Sequence, residues 1–325
     1  MPEAAERIAL AVSGGPDSMA MLALAATAFH GRVIAATVDH GLRPEAADEA
    51  AMVAGWCAGA GIPHETLRIA TPPGSGDNIQ AWARQERYAL LRRWAVDSGA
   101  VALATAHHAD DQAETFLMRA GRGAGLSGLA AIRARQEIEV RTSVANEEAH
   151  FLFWCASLLL VRPLLGWRHG ELVALAEALE LPFVDDPSND DDRFDRTRFR
   201  RLLAGAPWID PVQIGRSVTY LAEIEADMLA ISQWLWKTRT LPSSVYEAKL
   251  DVAGLPRAVR RYLARMAIEE VLDVNGGTKT WSRATNIESL LDALEAGKSA
   301  TQAEVMASAK GDIWHFREAP PRRSH

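Results

Sequence analysis

Two short segments of the chain are apolar throughout: Ile8–Val12 (IALAV) and Val33–Val38 (VIAATV), each bounded by polar residues or glycine. That is how strands buried on both faces of a parallel sheet read. His64–Ile69, Val101–Thr105 and Leu158–Val161 continue the series. Between them, Ser18–Phe29, Pro44–Ala60, Asn78–Ser98, Ala109–Ala120 and Arg168–Leu179 read as helices. Strands alternating with helices predict right-handed βαβ units and an α/β fold with a doubly wound, mostly parallel sheet. Ligands of such sheets bind beyond the carboxyl ends of the strands, so the chemistry is to be sought just after each strand.

The rhythm breaks at Arg133–Cys155, a charged and then apolar stretch read as an irregular hairpin or surface excursion. It stops after Arg201, where Gly205–Pro211 forms a turn-rich joint. Beyond the joint, Val218, Leu221, Ile224, Met228, Ile231 and Leu235 recur at steps of three and four, one apolar helix face. Trp234 and Trp236 are assigned mostly to that core. Val259, Tyr262, Leu263, Met266 and Val271 predict a second helix, and the tail from Trp281 a third. The expectation is an α/β domain over 1–202 and a smaller, mainly helical domain over 203–325.

Composition changes this picture only by exclusion. Of 325 residues, 48% are hydrophobic and 24% charged, which rules out a disordered or fibrous chain. The absence of a run of ~18 apolar residues argues against a membrane span, and the start at MPEAAE does not read as a secretory signal. Cys57 and Cys155 lack metal-ligand or CxxC spacing and fit a reducing compartment. A cytoplasmic protein is expected. The net charge of −7 disfavours indiscriminate nucleic-acid binding but leaves room for a local basic patch.

Ser13-Gly14-Gly15-Pro16-Asp17-Ser18 follows the first strand and opens a helix. Two glycines let the backbone turn and come close to a ligand. Their N–H groups, with the helix N-terminus, make an anion site. Ser13 and Ser18 can add hydroxyl donors and Asp17 can hold a divalent cation. The alternative is a plain turn with Ser or Asp capping the helix. A Walker A loop is not present, which points away from P-loop chemistry.

A second cluster, His107-His108-Ala109-Asp110-Asp111-Gln112-Ala113-Glu114-Thr115, runs from a strand end into a helix. Helix capping, a hydrolytic metal centre and a nucleotide site with Mg²⁺ are its three readings. The position after a strand favours the last. Gly123–Gly128 satisfies G-x-G-x-x-G, but it follows a helix rather than a strand, so a dinucleotide site is rejected. Arg193–Arg201 holds five arginines against one aspartate, with Phe194 and Phe199 between them, a candidate phosphate-gripping face. A solvated helix face is the bland alternative.

SGGPDS resembles the pyrophosphate loop of the N-type ATP pyrophosphatases, the PP-loop superfamily, whose enzymes cleave ATP between the α- and β-phosphates. VDHGLR (38–43), GIPH (61–64), NIQAWAR (78–84), LATAHHADDQAET (103–115), MRAGRGAGLSGL (118–129), RPLL (162–165) and DPSN (186–189) with Arg193-Phe194 follow in order. Together, over roughly residues 7–202, they resemble the tRNA(Ile)-lysidine synthetase family. The arginine run departs from the family's pattern at Thr197, where Asn is frequent.

The resemblance implies an adenine nucleotide alpha hydrolase-like fold. It implies ATP-dependent ligation of free L-lysine to C2 of the wobble cytidine of CAU-anticodon tRNA(Ile), through an adenylated intermediate. ATP and Mg²⁺ are implied with it. ATP falls to Ser13, Gly14, Gly15, Pro16, Asp17, Ser18 and His107, and Mg²⁺ to Asp17 with Asp111. Catalysis is assigned to Asp39, Asp111, Glu114 and Arg119, with Asp39 chosen to take a proton from the attacking amine. tRNA falls to Arg122, Arg193, Arg196, Arg198, Arg200 and Arg201. Which carboxylate is the base and which holds Mg²⁺ stays open, as does a homodimer. Two rival readings are kept. One is a tRNA thiolase or glutamine-dependent amidotransferase of the same superfamily, which the isolated cysteines and lack of room for a glutaminase domain disfavour. The other is a nucleotide-sensing RNA-binding protein without catalysis.

Overall fold

The computed structural model describes residues 6–41, 45–70, 74, 79–145, 151–184, 195–274, 281 and 285–320, with 80, 141–145, 151–154, 195 and 196 described by backbone alone. The chain divides into two compact units: 1–123 with 131–219, and 124–130 with 220–325.

In the first unit, β1 (Arg7–Ala11), β2 (Val33–Asp39), β3 (His64–Arg68), β4 (Ala100–Thr105), β5 (Arg135–Ala145) and β6 (Phe151–Val161) form one sheet in the order β3-β2-β1-β4-β6-β5. Only β5 runs antiparallel to its neighbour. The connecting helices are α1 (Pro16–Ala28), α2 (Glu45–Gly59), α3 (Ile79–Asp97), α4 (Ala109–Ala120), α6 (His169–Ala178) and α7 (Asp195–Ala204). Short apolar runs become buried strands because alternate residues meet two different cores. Leu10, Val12, Val33, Ala35 and Ala104 pack with Met19, Leu22, Val53 and Leu172 on one face. Ala9, Ile34, Ala36 and Leu103 pack with Leu91, Trp94, Leu158 and Leu160 on the other.

Strand order puts the switch point between β1 and β4. From β1 the chain steps outward through β2 to β3, then α3 carries it back to β4 on the other side of β1. The crevice at the carboxyl ends of those two strands is where ligands of such sheets bind. SGGPDS leaves β1 there and HHADD leaves β4.

The stretch Arg133–Cys155 corrects the sequence reading. It is a regular ladder, with β5 and β6 paired residue for residue from Arg135↔Val161 to Ala145↔Phe151. Glu137, Glu139 and Arg141 alternate with Ile138 and Val140, so an edge strand exposed on one side looks irregular to a test for continuous apolarity.

The second unit holds α5 (Leu126–Leu129), the end of α8 (Pro211–Arg239), α9 (Arg257–Val274) and α10 (Glu288–Glu295). It also holds an antiparallel sheet in the order β7-β8-β11-β10-β9, from β7 (Thr240–Leu241), β8 (Glu247–Asp251), β9 (Ala300–Gln302), β10 (Val305–Lys310) and β11 (Ile313–Glu318). A mainly helical domain with a third helix in the tail is therefore corrected: after α10 the tail is a β-meander. Val305 and Ala307, then Trp314 and Phe316, are buried at a period of two that a search for helix faces misses. Trp236 packs against this core, but Trp234 is 64% exposed, a further departure from the sequence reading.

Candidate active site

The loop after β1 owes its path to two glycines with different duties. Gly14 has φ +87, and a Cβ there would stand 3.3 Å from Met52 Cε and 3.6 Å from Val53 Cγ2 of α2. Gly15 is extended (φ −75, ψ 162) and caps α1 without a side-chain hydrogen bond. The helix N-terminus therefore stays open to an anion. Pro16 sits at the start of α1, where its missing N–H costs nothing.

Ser18 has a structural part. Its buried hydroxyl donates to Gly15 O at 2.9 Å and accepts from Ser13 N–H at 3.1 Å and the Ser13 hydroxyl at 3.2 Å. From the far side, Val184 N–H donates to Gly14 O at 3.0 Å. The loop is thus braced before any ligand arrives.

Opposite it, His108 caps α4. Asp111 N–H approaches His108 Nδ1 at 3.4 Å, while His108 N–H donates to Asp111 Oδ2 at 3.2 Å, a reciprocal capping box. His108 Nε2 lies 3.4 Å from Asp111 Oδ2 and 3.7 Å from Asp17 Oδ2. His169, the first residue of α6, donates from Nδ1 to Asp17 Oδ1 at 2.8 Å. Its backbone N–H donates to Asp110 Oδ2, also at 2.8 Å.

These charges shift one another. Burial pushes the His108 pKa down, but the hydrogen bond with Asp110 and the charges of Asp111 and Asp17 outweigh it and hold the value above the ordinary one. The hydrogen bond from Asp17 raises His169 against its burial. Asp110 is pushed up by burial, yet bonds from His108 and the His169 N–H bring it down to about 2.

Around these groups lies a cavity of about 1180 Å³. Its walls include Ser13, Gly15, Asp17 and Ser18 from the loop, His107, His108, Asp110, Asp111 and Glu114 from the β4–α4 segment, and Arg84, Arg87 and Tyr88 from α3. His107 is positioned by Thr105, whose hydroxyl is 2.9 Å from its Nδ1. A phosphate-sized anion would meet an open helix end and two α3 arginines, with carboxylates nearby for a cation or an amine.

Not every sequence candidate converges here. Asp39 is not among the lining residues: its Oδ1 accepts from Gly41 N–H at 2.9 Å and its Oδ2 lies 3.8 Å from Arg68 Nε. Its neighbours Val38 and His40 line the cavity instead. Arg119 donates to Ala131 O at 3.2 Å, where Ala131 has φ 42, and so fixes the turn after α5. Burial and the nearby Arg84 lower its pKa. Arg200, grouped by sequence with an RNA-facing run, donates from Nε to the buried Glu114 Oε1 at 2.9 Å and lines the cavity. Arg122, Arg198 and Arg201 are exposed. Arg193, Asp186–Asn189 and the side chain of Arg196 lie outside the described residues.

Sequence reasoning missed His108 and His169 as partners of Asp17, and Arg84 and Arg87 as cavity walls. NIQAWAR carried Arg84 in plain view, and a helix face with arginines three apart was the available signal. His169 had none, since it meets Asp17 across 152 positions.

Comparison with known proteins gives the site a context. A family model described as a PP-loop domain matches residues 1–206. The tRNA(Ile)-lysidine synthase of Zymomonas mobilis is 40% identical over 98% of this chain and 90% of its own length. That of Novosphingobium aromaticivorans is 41% identical over the same shares of both chains. Among solved structures, a U34-tRNA thiolase from Methanococcus maripaludis matches with a TM-score of 0.54 at 20% identity, covering 67% of this chain and 72% of that one. That likeness is one of fold. Among the described residues, no helix is long and apolar enough to cross a membrane.

Proposed function

The chain belongs to the tRNA(Ile)-lysidine synthase family and carries an ATP-using PP-loop domain; from that premise we propose that it joins free L-lysine to C2 of the wobble cytidine of CAU-anticodon tRNA(Ile) through an adenylated intermediate. The cytidine C2 oxygen attacks the α-phosphorus of ATP and pyrophosphate leaves. The lysine amine then attacks C2, the bond from C2 to the adenylate oxygen breaks, AMP departs and the amine gives up a proton.

One observation carries this reading: the braced Ser13–Ser18 loop presents the open end of α1 to the cavity at the β1–β4 switch point. Fixed donors aimed at a departing pyrophosphate lower a barrier most when they need no rearrangement at the moment of reaction. Arg84 and Arg87 extend the positive wall for the phosphates or the adenylate. Carboxylates supply the opposite need. Lysine, with an amine pKa of ~10, must arrive as a cation and react as a neutral amine. Asp111 and Glu114 of the cavity wall are our assignments for receiving it, with Arg200 holding Glu114 in place.

The residues present fit Mg²⁺. Asp17 and Asp111 approach the same His108 nitrogen within 3.7 Å, so two carboxylates flank one spot beside the phosphate loop. Two carboxylates with phosphate oxygens are a usual Mg²⁺ set. Bound there, the cation would offset charge on pyrophosphate. The exposed Arg122, Arg198 and Arg201, with Arg193 and Arg196, are proposed to grip tRNA phosphates.

The test is incubation with ATP, Mg²⁺, radiolabelled lysine and bulk tRNA, followed by nucleoside mass analysis. Label in a modified cytidine, dependent on ATP, is the expected result. ATP consumption with no lysine in the RNA would overturn the reading.

A further inference from the structure

Three ligating side chains from three distant parts of the chain meet where β1 and β4 end. Asp17 lies in the first turn of α1, His108 caps α4 and His169 begins α6. Each offers one ligand atom, and these atoms all lie within 4.8 Å of one another. We propose that Asp17, His108 and His169 form a binding site for a borderline divalent transition-metal ion, Zn²⁺ in the first place.

The donor set argues for that class of ion. Two imidazole nitrogens and one carboxylate suit Zn²⁺ or Co²⁺, whereas Mg²⁺ takes oxygen ligands almost throughout. Spacing agrees. Ligands of a tetrahedral ion at ~2.0–2.1 Å stand roughly 3.3 Å apart. The His169–Asp17 and His108–Asp17 separations, 2.8 and 3.7 Å, bracket that value.

The surroundings are those of a held site. Asp110 Oδ2 takes the His169 backbone N–H at 2.8 Å and lies 3.5 Å from His108 Nδ1. One carboxylate thus orients both histidines, the relation that commonly fixes ring orientation behind a metal. The two rings stand 5.3 Å apart, tilted by 31°. All three residues line the cavity, so a fourth position would face solvent or a ligand.

A consequence follows for nucleotide binding, and this part rests on the function proposed above. Asp17 serves both ligand sets, so Zn²⁺ at the histidines and Mg²⁺·ATP at the loop exclude one another. The protein would respond to free Zn²⁺ as a competitor of its nucleotide.

Metal-free full-length protein is titrated with Co²⁺ while visible absorption is followed, and Zn²⁺ is then used to displace it. One equivalent with the intense d–d bands of four- or five-coordinate Co²⁺ is expected, without a thiolate charge-transfer band. Asp110→Asn should weaken binding about 10- to 100-fold, as loss of an orienting partner does, and His169→Gln or His108→Gln by more. Circular dichroism checks the fold of each variant; His169 is half exposed, which makes its replacement the mildest. Weak octahedral absorption, a thiolate band from Cys155, or binding unchanged in His169→Gln would overturn the site. Mg²⁺·ATP binding is measured separately on the metal-free protein. Its failure strikes the nucleotide reading and leaves the Co²⁺ result standing. ATP binding that Zn²⁺ does not weaken would overturn the shared use of Asp17.

Discussion

In the C-terminal unit, Arg257 gathers Glu288, Asp292 and Glu295 on an exposed face, and Arg261 joins Glu288 at 2.5 Å. At the end of β1 the polarity is reversed: the carboxylate of Asp17 is gathered by His108 and His169 against partly buried walls. The first arrangement stands above a closed apolar core of Leu263, Ile268, Leu291, Trp314 and Phe316. The second stands at the mouth of a cavity. Exposed pairs are screened by water and contribute little each. Half-buried charges that must share partners shift one another's pKa and stay available to a ligand. The same residue types therefore support a fold in one unit and build a reactive site in the other.

The sharpest way to break this contrast is at the phosphate loop. Gly15→Val keeps an allowed backbone, since Gly15 is extended, but fills the approach to the α1 N-terminus. ATP-dependent pyrophosphate release should be lost, by at least ~1000-fold on the scale of removed transition-state stabilisation, with circular dichroism unchanged. Gly14→Ala should instead unfold more easily, by about 1–2 kcal/mol, because φ is +87 and Met52 is close. If both variants behave alike, the two glycines do not have separate duties.

Next in size is the comparison of ion pairs. Glu114→Gln leaves Arg200 unpaired beside a buried position and should cost about 1–3 kcal/mol, a figure already reduced because Arg200 is 43% exposed. Glu288→Gln should cost about 0–1 kcal/mol by denaturant titration. Equal costs would erase the distinction between the units.

Dependence on pH sharpens it further. The folded pKa values of His108 and His169 are raised, so their contribution is complete below the unfolded value of about 6.5 and is lost as pH rises through the folded values. Tm should fall between about pH 6 and 8, less so in His169→Gln. Asp110, lowered to about 2, acts oppositely: its contribution is present above the unfolded value near 3.9 and is lost as pH falls through about 2. A flat Tm across the histidine window would show that these contacts do not persist in solution.

Much of the site was legible because its motifs are contiguous. SGGPDS and HHADDQAET each carry a strand end, a turn and a helix start in one stretch, and the α4 bounds agree with Ala109–Ala120 from the apolar pattern. What escaped was assembled by topology. His169 reaches Asp17 only after the sheet is ordered, and the pairing of Arg200 with Glu114 joins helices 86 positions apart. The tail meander was hidden by its own shortness, since strands of three to six residues give too few alternations to outweigh a helical reading.

Smaller effects belong to the edges of the site. Arg198→Ala with Arg201→Ala should lower the slope of log tRNA affinity against log salt by roughly 1.4–1.8, at ~0.7–0.9 per phosphate contact, with ATP affinity unchanged. Asp39→Asn should have the smallest effect on lysine transfer, less than ~10-fold or about 1.4 kcal/mol, because Asp39 is engaged by Gly41 and Arg68 outside the cavity lining. A loss as large as that of Gly15→Val would return Asp39 to the chemistry.

The central claim, that the β1–β4 junction takes the nucleotide while the C-terminal core does not, is tested most directly by amide hydrogen exchange with and without Mg²⁺·ATP. Slowed exchange confined to Ser13–Met19 and His107–Asp111, with Arg257–Glu295 unchanged, is the expected result. Protection in Arg257–Glu295 and none in the loop would contradict it.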